Sequence, residues 1–217
     1  MEDIHIFFCR TTDDLWFAKN VLLLLNSICL IGKPHQIEYL LGLSNLWAYI
    51  KKCMANPDSN FHFELLKILH LIVERSTDGV EQLVKQDIIP LIVNCISPVI
   101  LQGHVLMKTA SLIKSLLRSK KANIMEVLLG LDIINILFRL MEQENYEEII
   151  VDGIVCLHEL FVVGAENRNT THLVIASELD ILKRSIEKIT SDEICIASDE
   201  IYNKASELIL HLKSLFQ

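Results

Sequence analysis

Glycine and proline are scarce in this chain, 7 and 4 residues of 217, and aromatic residues make up only 6% of it. A β-sandwich or barrel needs many turn residues and strands rich in aromatic side chains, so that class is disfavoured. An apolar set made mostly of Leu and Ile, within a 51% apolar total, suits helices instead. The six cysteines (Cys9, Cys29, Cys53, Cys95, Cys156, Cys195) form no CxxC pair and have no nearby His at ligand spacing. They are expected as buried small hydrophobes in a reducing compartment, with no metal site and no cofactor. Met1-Glu2-Asp3 does not open a basic segment followed by an apolar one, so no cleaved secretory signal is expected, and the acceptor-like triplet Asn169-Thr170-Thr171 is read as chance. The longest apolar-rich runs, 21–31 and 88–101, are broken by polar residues and Pro and fall short of the ~18 to 20 residues of a membrane span. A soluble protein with no membrane partner is expected.

Positive charge is also in deficit. The formal net charge is −8 with His neutral, which disfavours nucleic acid as a partner and favours basic protein segments. Only Arg118, Lys120 and Lys121 form a basic stretch, read as a solvated turn that offsets the helix dipole.

What the sequence does contain is a repeat of about 44 residues. Residues 37–46, 80–89, 125–134 and 172–182 are versions of one pattern: a short apolar helix, a polar or small break, and a second helix ending near 54, 97, 142 and 190. Asp87, Asp132 and Asp180 stand where the second helix would take an N-cap. Longer helices are expected at 14–31, 61–75, 104–119, 147–163 and 199–216. Stepping by the repeat from Leu25 lands on Leu69, Ile113, Leu157 and Ile201, and from Ile28 on Ile72, Leu116 and Leu160, so one buried face recurs in register. Within 61–75, Leu65, Leu69, Ile72 and Val73 form the stripe of a core-facing helix. The breaks at 56–60, 76–79, 97–98 and 164–171 are too short for interdomain linkers. The fold expected is all-α: one domain over 1–217, a right-handed α-solenoid of about five three-helix armadillo-type repeats, with the third helices lining a concave groove.

Ile154 to Gly164, Leu179-Asp180, Ile201-Tyr202-Asn203-Lys204-Ala205-Ser206-Glu207-Leu208-Ile209 and Leu215-Phe216 together resemble the last two repeats of importin-alpha. The resemblance implies recognition of basic peptides by a WxxxN ladder on successive third helices, where Asn clamps the peptide backbone and stacked indoles receive Lys stems. In the repeat register the Asn slots fall at Ser27, Leu71, Ser115, Glu159 and Asn203, and the Trp slots at Leu23, Lys67, Ser111, Val155 and Asp199. The ladder is therefore missing; Trp16 and Asn20 spell WxxxN once, ahead of the register, and Trp16 is read there as a cap over the end of the stack, with peptide binding as the alternative. The resemblance also implies that Tyr202, Lys204 and the acidic residues Asp192, Glu193, Asp199 and Glu200 face an export receptor.

No motif brings titratable groups together for catalysis. His70 with Glu74 and His158 with Glu159 are the nearest pairs, His62 and His70 lie ~12 Å apart along one helix, and there is no HExxH, phosphate loop or nucleophile elbow. The acidic run Glu142, Glu144, Glu147, Glu148 is read as solvated surface, with a docking site for basic segments as the sharper alternative. A non-catalytic scaffold is expected, cytoplasmic, nuclear or both, that binds an extended or basic protein segment along the groove. Lys67, His70, Lys108, Ser111, Ser115, His158, Glu159 and Asn203 would line it. A shortened importin-alpha-like import adaptor is the second expectation. The third is a subunit that docks or self-associates through its first repeat, by Phe7, Phe8 and Trp16.

Overall fold

The structure, a computed structural model, describes residues 15–56, 58–96, 103–141 and 147–166, together with Asn203, Ser206, Glu207 and Leu210. Among these residues every regular element is an α-helix. The chain divides into two compact units, Met1–Ser119 and Lys120–Gln217.

Unit 1 runs α1 (Leu15–Ile31), α2 (Pro34–Leu41), α3 (Ser44–Met54), α4 (Ser59–Arg75), α5 (Gly79–Lys85), α6 (Ile89–Asn94) and α7 (Gly103–Arg118). Local chemistry sets these boundaries. Pro34 pre-forms the first turn of α2, and the Gln36 side chain accepts from the Lys33 backbone N–H at 2.8 Å. The Asp58 carboxylate caps α4 by accepting from Asn60 N at 2.9 Å. A Cβ on Gly79 would stand 2.5 Å from the Ile72 carbonyl oxygen, so only glycine lets α5 begin this close to the end of α4. The short pair followed by the long third helix (α2, α3, then α4; α5, α6, then α7) is the armadillo arrangement.

Third helices pack on third helices, α1 against α4 and α4 against α7. Their cores keep the repeat register. Leu25, Leu69 and Ile113 are all buried, as are Val21, Leu65 and Thr109. Polar links also follow it: Arg75 of α4 reaches carbonyls of residues 29 to 32 at the end of α1, and His70 meets Ser115, a separation of 45 residues. Around this layer the short helices are fastened by buried donors, Trp47 Nε1 to Leu41 O at 2.9 Å and Tyr49 OH to Ala18 O at 2.8 Å. His62 of α4 meets the end of α3, its Nε2 3.0 Å from Met54 O.

The expected N-cap role of Asp87 is corrected. Asp87 has φ 52°, its N–H donates to Val84 O and that of Ile88 to Leu83 O, both at 3.0 Å. This is the Schellman closure of α5, with Asp87 in the left-handed position and buried Leu83 and Ile88 beside it. The N-cap of α6 is Ile88, which has no side-chain bond.

Unit 2 contains α8 (Ala122–Gly130), α9 (Ile133–Met141) and α10 (Glu147–Glu166). Asp132 repeats the left-handed turn with φ 58°; its carboxylate accepts from the Asn135 side chain at 2.8 Å and not from a backbone N–H. α10 is a third helix, with Ile154, Leu157 and Leu160 buried. The expected helices at 172–190 and 199–216, and Asp180, lie outside the described residues except for the four named above.

Candidate protein-binding face

The third-helix face of unit 1 is built by register. Positions equivalent to the buried stripe turn inward, and those between them remain partly open: Leu23, Lys67 and Ser111 in one row, Ser27, Leu71 and Ser115 in the next. Polar side chains of α4 and α7 meet in this strip. The Lys108 Nζ lies 2.6 Å from His70 Nδ1, and the His70 Nε2 lies 2.8 Å from Ser115 Oγ and 3.1 Å from Glu74 Oε1. An ammonium can only donate, so Nδ1 accepts and the ring hydrogen sits on Nε2, which donates to Ser115 Oγ with the Glu74 carboxylate close by. One turn earlier, Lys67 donates to Glu64 at 3.0 Å, and its Nζ stands 5.4 Å from the centre of the Phe63 ring. Phe63 in turn meets the edge of His104, with ring centroids 5.0 Å apart.

Three of the expected lining residues, His70, Lys108 and Ser115, are thus joined directly. Lys67 pairs with Glu64 on its own helix, and Ser111 is half-buried on α7. His158 and Glu159 are half-buried on α10 in unit 2. Asn203 is exposed and helical. Trp16 is 74% exposed at the start of α1, where Asn20 donates its amide to the Trp16 carbonyl at 2.8 Å. Phe7 and Phe8 lie outside the described residues, as do Asp192, Glu193, Asp199, Glu200, Tyr202 and Lys204. Sequence reading missed Phe63, Glu64, His104 and Lys114; stepping the repeat from His70 would have reached Lys114.

The described cysteines are core residues. Cys29, Cys53, Cys95 and Cys156 are buried and in no disulfide. Burial pushes the Cys29 thiol up to about 11, against a smaller opposing pull from Arg75, and pushes Cys95 up to about 12. Such thiols stay protonated near neutrality and are poor nucleophiles. Among the described residues no group of His, Cys, Asp and Glu could hold a metal ion, and no helix is long and apolar enough to cross a membrane.

Three-helix units whose long helices stack in register, as α1, α4 and α7 do in unit 1, define an armadillo-type repeat fold. No family profile and no curated protein sequence matches the chain. Solved structures do. The chain is similar to computationally designed armadillo repeat proteins for modular peptide recognition (TM-score 0.72, 14% identity, over 94% of this chain and 84% of that one). It is similar to an engineered protein from a structural genomics consortium (TM-score 0.71, 15% identity, 94% and 76%). A designed armadillo repeat protein in complex with the peptide (KR)4 also matches (TM-score 0.62, 14% identity, 93% and 95%). At these identities the likeness is one of fold.

Proposed function

We propose that the chain is a non-catalytic scaffold that binds an extended protein segment across its third helices. One observation carries this reading: α1, α4 and α7 lie in a common register with their open rows available to a strand-like ligand, and His70, Lys108 and Ser115 gathered among them. Designed neighbours described as recognising peptides support the same use of the fold. A peptide array probed with the full chain is expected to return extended segments as binders. Ser111→Ala with Ser115→Ala should then weaken binding several-fold; unchanged binding would move the site off this face.

The importin-alpha-like adaptor is the second reading, with residence in the cytoplasm, the nucleus or both. It is favoured by the Trp16–Asn20 pair on the open side of α1 and by the neighbour bound to (KR)4. Titration with a Lys/Arg-rich localisation peptide at low salt tests it, and absence of binding there rejects it.

A further inference from the structure

Chemistry changes from one end of the third-helix face of unit 1 to the other. On α1, Leu23 is 48% exposed, Leu30 56% and Ile31 80%. Two of the polar residues interleaved with them bond to their own helix: Asn20 donates to Trp16 O and Ser27 to Leu23 O, at 2.8 and 2.9 Å. α1 therefore presents a mostly apolar strip, whose one charged residue is the exposed Lys19. In the same rows α4 carries charges of both signs, with Glu64 held by Lys67 and Glu74 facing His70. α7 carries Lys108, Lys114 and Arg118 and has no acidic residue along its length. A cationic edge thus stands on a chain whose net charge is −8.

Three helices packed side by side at 8–10 Å span roughly 20 Å between outer axes, the length of about six extended residues. We propose that this face binds an extended protein segment with apolar side chains over α1 and carboxylates over α7. The inference rests on the scaffold reading above and adds the chemistry of its partner. Burial of the α1 leucines supplies the non-directional part of the affinity, and the α7 cations set the orientation and the acidic preference. The net charge of the whole chain, which favours basic partners at long range, is screened beyond roughly 8 Å at physiological salt, leaving the local sign to decide at contact.

The test uses the full chain and four fluorescein-labelled peptides. Two carry three Leu, a Ser spacer and three Glu, in either order; two replace Glu by Lys. One Glu peptide is expected to bind, losing tenfold or more in affinity between about 50 and about 500 mM salt. Lys114→Glu with Arg118→Glu should cost a further tenfold or more, and Leu30→Ser a few-fold with the salt dependence retained. The neutral variant Arg118→Gln, at an exposed position, guards against misfolding and should give a smaller loss of the same sign. Lys peptides binding as tightly as Glu peptides, or charge reversal without effect, overturns the partner chemistry and leaves the scaffold reading standing. Failure of peptides of both signs overturns both. A dimer that forms through α1, and that the Glu peptide does not dissolve, would assign the apolar strip to a second copy and also overturn the proposal.

Discussion

Asp87 and Asp132 hold the left-handed backbone, φ 52° and 58°, at matching turns of two successive repeats. Aspartate tolerates this region better than most residues, yet a Cβ there still costs roughly 1 kcal/mol relative to glycine. Asp87→Gly should raise unfolding free energy in urea by up to about 1 kcal/mol, whereas Asp87→Val, with a branched Cβ, should lower it by about 2 kcal/mol. The buried thiols give a second residue-scale expectation. An unfolded cysteine loses its proton near pH 9, while folded Cys29 and Cys95 hold theirs to about 11 and 12. Their contribution is fully present below pH 9 and is lost as pH rises through the folded values, with a slope of about 1.4 kcal/mol per pH unit for each thiol in between. Burial of Tyr49 acts in the same direction. Stability should therefore fall steeply above pH 9 in denaturant titrations; a flat profile from pH 9 to 11 would contradict it.

Between helices, Arg75 acts where α1 has no basic residue in its last turn. Its guanidinium donates to the carbonyls of Cys29 at 2.6 Å, Leu30, and Gly32 at 3.1 Å, binding the negative end of one helix to the next. Arg75→Gln should cost about 1 kcal/mol because the group is partly solvated. Hydrogen exchange should speed up selectively at the last turn of α1, and uniform acceleration over the chain would refute a local clamp. The long helices were legible in the sequence to within a turn, 14–31, 61–75 and 104–119 against Leu15–Ile31, Ser59–Arg75 and Gly103–Arg118. An apolar stripe at helical spacing has few other solutions. The turns were less legible, because an N-cap and a left-handed helix stop both favour aspartate at the same place, and Asp87 shows which prevails when Leu83 and Ile88 can close over it.

At the level of the whole chain, a sum over all charged groups concealed local arrangement. A net charge of −8 says nothing of α7, whose side chains are cationic, nor that His70 would be met by Lys108 from 38 residues away. Within unit 1 the two register rows are partly open or exposed, whereas Val155, the next position of the first row, is buried on α10; the contacts across the rows depend on rotamers that no periodicity encodes. In repeat arrays neighbouring units melt together when their interfaces are strong. One continuous domain over 1–217 is our proposal, and calorimetry should then give a single transition with equal calorimetric and van't Hoff enthalpies. Two resolved transitions would instead make Met1–Ser119 and Lys120–Gln217 independent folding units. Leu24 adds a property of a different kind. It is 51% exposed where its counterparts Ile68 and Leu112 are 1% and 0% exposed. α1 thus leaves open an apolar position that α4 and α7 keep from water, a ledge of the kind on which one repeat seats another.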